Sequence, residues 1–584
     1  MTANHLFPGR ALLRRVSAGL LAGLCGGANA APVIDVAHQN PGAPIQLAKT
    51  SISGFWGTAP STELTYAPQS WLGDIAAAGI TSVRNFDATT SADHLQPIIK
   101  AGMTTTGILW WSAPGKPGSL PVSDLEGWRR YVIDMVTRYK GRIQSWEVWN
   151  EPPNFTADRS PASYAVVVAA AYDAAKATDS TVQIGLGAKS NHVNYLAQAI
   201  EAGAANKFDF ITLHPYENAS LLTQGWEGQF MSLAPRVRTM LLDKNPGKAD
   251  APIWFTEIGL AVATSSSAGL TPELQADGLV KIYTMAAAQR VARVYWFSPR
   301  DAEGEHLGLM TDAGVKRPAY VAMKTLNSYL GDTPNALGWV QSSGANDYGF
   351  VFEGPKGTVL STWARTGKTS TVTTASRVTV VDPRTGTTKK NQMTVILGDA
   401  PLILVAAADS AEANAWKAQA ATNKGKGFAW YGEHRGATSV SLSATTGPDG
   451  VFMLDSPAVK VVDGSPEFDL SGHGAIAFAV DPEFLSYSTR PIRITVTVRG
   501  HGTGTGDPGF NLKYESSAPL SATDGNGLTT ADGWFRVGMS GVSQKSWTIT
   551  NPRFVGYFGY NFMLDTDGPS HSQFSLQSIV VTKL

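Results

Sequence analysis

Between residues 50 and 332, short apolar runs alternate with segments whose apolar residues recur every three or four positions. The runs are SISGFWG (51–57), ITSVRNF (80–86), MTTTGILWWS (103–112), IQSWEVWNE (143–151), VQIGLGA (182–188), FDFITLHPY (208–216), PIWFTEIGL (252–260) and RVYWFSP (293–299). Each has the length and β-branched or aromatic content of a buried strand. Helical segments separate most of them. In one, Trp128, Tyr131, Val132, Met135, Val136 and Tyr139 share a face, with Ser123 and Glu126 spaced as a capping box and Gly141 at the C-terminal stop. Eight strand–helix units in this length predict an α/β fold of the closed, parallel (β/α)8 type, a TIM barrel over about residues 45–335. An open doubly wound sheet is the competing fold, but no glycine-rich phosphate loop follows the first strand.

Past residue 333 the helical period stops. Residues 347–364 and 376–398 alternate and turn like β-hairpins, which predicts a small β-domain over 336–408, with 31–50 as a candidate additional strand. The polar, alanine-rich stretch 409–427 reads as a linker or a lone short helix. From 428 to 584 the pattern is all-β. Ile492, Ile494, Val496 and Val498 face one way and Arg493, Thr495, Thr497 and Arg499 the other, as in a jelly-roll-like β-sandwich.

Composition narrows the class. The 584-residue chain is too long for one core, and its 47 basic and 47 acidic residues balance. The first thirty residues hold three arginines and no acid, so the remainder carries 44 bases against 47 acids. No basic field recommends nucleic acid. Arg10, Arg14 and Arg15 precede an apolar run from Val16 to Leu24, and Ala28–Asn29–Ala30 has the form of a signal-peptidase site. Residues 1–30 are therefore expected to be a signal peptide directing export to the periplasm or outside the cell. The single cysteine, Cys25, falls inside this segment, so the mature chain is expected to have no disulfide. No later apolar run is long enough for a membrane span. Nothing in the sequence addresses oligomeric state.

In a barrel of this type the reactive groups sit at the C-terminal ends of the strands. Those ends carry Trp56; Arg84; Trp110 and Trp111; Asn150 and Glu151; His214 and Tyr216; Glu257; and Trp296. The two glutamates come from the fourth and seventh strands and are expected to face one another. Facing carboxylates, one protonated and one ionised, are what cleavage of a glycosidic bond needs. Asn150 can hydrogen-bond a sugar hydroxyl, Arg84 and Tyr216 can aim Glu257, and the indoles offer flat faces to sugar rings. Of the adjacent Trp110 and Trp111, at most one is expected in the cleft. Glu147, deeper in the fourth strand, reads as a structural carboxylate paired with a base. The EGEHLG stretch (303–308) fits no metal motif and reads as a solvated loop. No metal or organic cofactor is expected.

WEVWNEP with Glu151, FTEIG with Glu257 and HPY with His214 and Tyr216 resemble clan A glycoside hydrolases, family 39 most and family 5 next. The resemblance covers roughly residues 50–400. It implies a retaining double displacement, with Glu151 as acid/base, Glu257 as nucleophile, Asn150 on the 2-hydroxyl and Tyr216 on the nucleophile. Arg84 and Trp296 match clan positions less distinctively. EPPNF departs from the usual Glu-Pro-Asn. Family 39 spans xylosides, iduronides and bacterial exopolysaccharides, so the expected substrate is a poly- or oligosaccharide of unspecified linkage. The C-terminal sandwich looks like those attached to secreted glycosidases. Two alternatives stay open at this point: an inverting hydrolase, and a degenerate barrel that only binds carbohydrate.

Overall fold

The computed structural model describes residues 55–584 apart from 66, 86–94, 265–268, 343–345, 424–433, 503–506 and 522–526. The expected signal segment and the candidate strand over 31–50 lie outside the described residues. Eight parallel strands close into a barrel in sequence order: β1 (Trp56–Thr58), β2 (Ser82–Asn85), β3 (Thr104–Leu109), β4 (Ile143–Val148), β5 (Gln183–Lys189), β6 (Phe210–His214), β7 (Ile253–Ile258) and β8 (Arg293–Trp296). β8 pairs with β1 to complete the ring, with Gly57 opposite Tyr295. The strands run buried almost throughout, because helices cover their outer face.

The helix Leu125–Arg138 shows how the chain encodes this layer. Trp128, Val132, Met135, Val136 and the following Tyr139 are buried, and Gly141 takes a positive φ of 75°. The cap differs from the expected one by a residue. Asp124, not Ser123, accepts from the Gly127 N–H at 2.7 Å, because Ser123 is consumed by a short 3-10 turn over Pro121–Ser123.

A six-stranded antiparallel sheet follows, built from β9 (Asn335–Val340), β10 (Asp347–Gly354), β11 (Gly357–Ala364), β12 (Ser370–Val381), β13 (Thr388–Leu397) and β14 (Leu402–Ala406), in the order β13-β12-β14-β11-β10-β9. One face joins the barrel core through Phe350, Phe352, Val359 and Trp363. Buried Glu227 ties the two units, accepting from Lys281 at 3.0 Å and from the Trp363 indole at 3.1 Å. Residues 411–423, within the stretch read as a linker or a lone short helix, form a helix. Trp416, Ala413 and Ala420 bury its inner side on the other face of the sheet, a contact that the helix's alanine-rich sequence does not advertise.

The C-terminal region forms two antiparallel sheets, of seven and five strands, around a common apolar core. The strand Ile492–His501 alternates as expected, with Ile492, Ile494, Val496 and Val498 wholly buried. This sandwich docks firmly on the barrel. Asn191 and Asn194 donate to the Val555 and Ser516 carbonyls at 2.9 and 3.0 Å, Arg236 donates to Ser486 at 2.8 Å, and His192 stacks on Tyr557 at 3.9 Å. No helix among the described residues is long and apolar enough to cross a membrane.

Inside the sandwich, buried His434 lies between Asp481 (2.7 Å) and Asp449 (2.9 Å). The hydrogen bond to Asp481, opposed by burial and helped by Asp449, pushes its pKa up to about 9. A histidine whose pKa rises on folding stabilises fully below its unfolded pKa of about 6.5 and loses that contribution as pH climbs through the folded value. His434→Gln is therefore expected to cost about 3 kcal/mol at pH 6, with the deficit shrinking as pH rises to 9 and above. Denaturant melts of both proteins across this range check it; a pH-independent gap contradicts it.

Candidate active site

β4 ends at Val148, and the chain then turns sharply. Trp149 and Glu151 adopt positive φ of 65° and 47°, a left-handed conformation costing about 1–2 kcal/mol in a residue with a Cβ. The neighbourhood holds this turn in place. The Trp149 N–H donates to the Leu109 carbonyl at 3.0 Å, and the Lys189 N–H to the Pro152 carbonyl at 2.9 Å. Tyr164 donates to the Val148 carbonyl at 2.8 Å and accepts from the Gly187 N–H at 3.0 Å, lacing β4 to β5. Gly187 is needed here, because a Cβ would stand 2.6 Å from the Thr212 hydroxyl and 3.4 Å from Glu147.

Arg84, wholly buried, sits at the centre. Its Nε donates to Glu147 at 2.7 Å, Nη1 to Glu257 at 2.5 Å and Nη2 to the Asn150 Oδ1 at 2.7 Å. One side chain from β2 thus fixes groups from β4, the turn after it and β7. Glu147 also accepts from Thr212 (2.5 Å) and Thr256 (3.1 Å), the paired role expected of it. Burial alone would raise the Glu147 pKa, but Arg84 and then the His214 charge hold it below the ordinary carboxylate range. Burial works against the Arg84 charge too, and Glu147 and Glu257 outweigh it, so the guanidinium stays charged.

Glu151 and Glu257 meet across the rim. The donor atoms of Glu151, His214 and Glu257 all lie within 4.8 Å of one another. His214 Nδ1 is 2.8 Å from Glu151, and its Nε2 is 3.0 Å from Thr256. Tyr216 donates to Glu257 Oε2 at 3.0 Å. Burial, then the charge of Glu257, push the Tyr216 hydroxyl well above its ordinary pKa, so it remains a donor. Burial would also empty His214 of its proton, but the charge of Glu257 and the bond to Glu151 raise its pKa on balance. Glu151 moves the other way: burial raises its pKa, and the hydrogen bond to His214 outweighs this and lowers it. The pair therefore retains a proton on the histidine side. These three residues are also the group that could hold a cation. Their oxygens, however, already accept from Arg84, Tyr216 and His214, and a metal ion would displace those donors beside a fixed positive charge.

The structure thus brings Arg84, Asn150, Glu151, His214, Tyr216 and Glu257 together. His214 spends both ring nitrogens on Glu151 and Thr256, which makes it a positioning residue, and Arg84 aims Glu257 while also holding Glu147 and Asn150. Three tryptophans depart from expectation. Trp56 points out of the barrel: its ring stacks on Tyr283 at 5.1 Å and its indole donates to the Gly331 carbonyl at 2.8 Å, packing β1 against the last two barrel helices. Trp111 turns outward onto Tyr131, lining a surface cavity of about 490 Å³ beside the helix Leu125–Arg138. Its neighbour Trp110 is the one that stacks on Trp149, at 4.8 Å. Trp296 is fully buried and donates to the Leu307 carbonyl at 2.9 Å. Glu305, expected in a solvated loop, is half-buried on the Glu257 side. Burial, with Glu303 and Glu257, pushes its pKa up to about 7.

No protein-family profile matches this sequence, and no curated protein does. Among solved structures, a family 39 glycoside hydrolase from the gut symbiont Bacteroides cellulosilyticus WH2 is 16% identical, over 63% of this chain and 81% of that one, with a TM-score of 0.49. A GH30 endoxylanase from Clostridium papyrosolvens C71 is 13% identical, over 61% and 97%, at 0.42. A β-glucuronidase from Ruminococcus gnavus, solved with D-glucuronic acid, is 16% identical, over 47% and 48%, at 0.35.

Arg84→Met would leave Glu147 buried without its charged partner. Such a break costs about 3–5 kcal/mol. The variant is expected to melt well below the wild type, and the paired change Arg84→Met with Glu147→Gln to recover part of the loss. A double-mutant cycle by calorimetry measures the coupling; additive losses contradict it.

Proposed function

We propose that the protein is a retaining glycoside hydrolase acting on O-glycosidic bonds of a poly- or oligosaccharide. The observation that carries this reading is the pair Glu151 and Glu257, from β4 and the end of β7, with oxygens within 4.8 Å. Retaining enzymes keep their carboxyl groups about 5–5.5 Å apart, whereas inverting ones leave about 6.5–9.5 Å for a water.

In this mechanism Glu257, aimed by Arg84 and Tyr216, attacks the anomeric carbon and forms a glycosyl ester. Glu151 gives a proton to the departing oxygen, so the aglycone leaves as an alcohol. Water then enters, loses its proton to Glu151 and attacks the same carbon, releasing the sugar and restoring Glu257. The proton that Glu151 delivers is the one retained by the Glu151–His214 pair. Asn150, with Oδ1 tied to Arg84, has its amide N–H groups left for the hydroxyl beside the reacting carbon. The strained turn at Trp149–Glu151 is consistent with a functional position, since such strain persists only where surroundings enforce it. The N-terminal arginines, apolar run and Ala-Asn-Ala site support export, which suits an enzyme meeting polymers outside the cytoplasm.

Glu257→Gln should lower kcat by about 10,000-fold or more on any polysaccharide the wild type cleaves, read as new reducing ends. Activity near wild type ends the assignment, and a wild type that binds glycan without releasing reducing ends is a lectin-like barrel. Since the proton sits on the His214 side of the pair, activity falls as pH rises through the raised pKa of His214. In His214→Asn the carboxyl alone must hold the proton, so the alkaline limb of kcat/KM is expected to move to lower pH. An unmoved limb assigns His214 a packing role only.

A further inference from the structure

The end of β5 carries a charge that the reaction leaves unused. Lys189 is the last residue of β5 and pairs in register with His214; its main chain bonds to Pro152, next to Glu151. Among the described residues its ammonium makes no hydrogen bond or ion pair. It lies within electrostatic reach of Glu151, Glu217, Arg159 and the Tyr557 hydroxyl. The Glu217 carboxyl lies 2.6 Å from the Ser190 hydroxyl, and burial raises its pKa. Arg159, exposed on the loop that begins at Glu151, is also without a partner among the described residues. Its neighbour Asp158 is taken by the Ser160 N–H and the Ser163 hydroxyl.

The third group comes from the sandwich. Tyr557 is buried against His192, yet among the described residues its hydroxyl has no hydrogen-bond partner. Leaving such a group unsatisfied costs about 1–3 kcal/mol. The loop carrying it is rigid. Buried Glu515 accepts from the N–H groups of Val555 (2.8 Å), Gly556 (2.8 Å) and Tyr557 (2.6 Å) and from the Asn561 amide (2.8 Å). Ser190 donates to the Tyr557 carbonyl at 2.7 Å, fixing the loop to the end of β5.

We propose that Lys189, Arg159 and Tyr557 form a subsite for an anionic substituent, a carboxylate or a sulfate, on the sugar that departs with the leaving group. All three lie on the Glu151 side of the gap. The Glu257 side carries Glu305 instead, a poor place for an anion. The sandwich is then part of the substrate-binding wall, and the released fragment bears its acidic unit at the new non-reducing end. The assignment to the leaving-group side rests on the glycosidase reading; the anion site itself does not.

The two are separable by experiment. Calorimetric titrations of the full-length protein use D-glucuronate, D-glucose 6-sulfate and D-glucose at low salt, with wild type, Lys189→Gln and the exposed Arg159→Gln. The expected result is salt-sensitive binding of at least one anionic sugar, weakened 10-fold or more in Lys189→Gln, and no binding of glucose. Preference between the two anions identifies the substituent. Equal binding of all three sugars, binding of none, or binding untouched in both variants overturns the subsite. In parallel, acidic heteropolysaccharides are digested beside their carboxyl-reduced and desulfated forms. Removing the charge is expected to lower wild-type kcat/KM 10-fold or more and to erase the difference between wild type and Lys189→Gln. Cleavage that ignores the charge overturns the subsite while keeping the glycosidase. Anion binding without cleavage of any polymer keeps the subsite and removes the glycosidase.

Discussion

The site depends on one buried guanidinium. Arg84 reaches Glu147, Glu257 and Asn150 at once, at 2.7, 2.5 and 2.7 Å. A buried charge is tolerated only with its partners in place, so the barrel is obliged to hold β2, β4 and β7 in one arrangement. Glu147 serves that end. It supplies a second negative charge to the cation, and Thr212 and Thr256 satisfy its remaining lone pairs. The carboxylates above inherit their spacing from this layer.

Histidine 214 divides the labour between the two glutamates. It hydrogen-bonds Glu151, whereas Glu257 accepts its hydrogen bonds from Arg84 and Tyr216 and acts on the histidine through its charge. Two similar side chains a few ångströms apart thereby acquire different surroundings, which is how one carboxyl group can work as a proton donor while its neighbour works as a nucleophile. The sandwich adds a third influence. Through Glu515 it holds Tyr557 beside Lys189, so residues more than 360 positions apart share one wall.

The barrel was legible because its strands are short, apolar and separated by helical patterns, and because strand ends mark the rim. Asn150, Glu151 and Glu257 were legible for the same reason, with Glu147 identified by its depth in β4. The tryptophans were not. Whether Trp56 or Trp111 turns inward depends on strand tilt and on partners such as Tyr283 and Tyr131, which no local spacing encodes. The sequence left 411–423 open between linker and helix because the contact that decides it, Trp416 against strands nearly 80 residues earlier in the chain, is not local. Lys189 and Tyr557 carry no motif; only the docked sandwich brings them together. Glu305 looked like a loop acid until the fold half-buried it.

The central claim is that Glu151 and Glu257 act as a double-displacement pair at one sugar carbon. Proton NMR of the first product formed from a cleaved glycan tests it most directly, because each displacement inverts the anomeric carbon and two restore it. The account predicts that the new reducing end first appears with the configuration of the bond that was cut, before mutarotation. Initial appearance of the opposite anomer would contradict it.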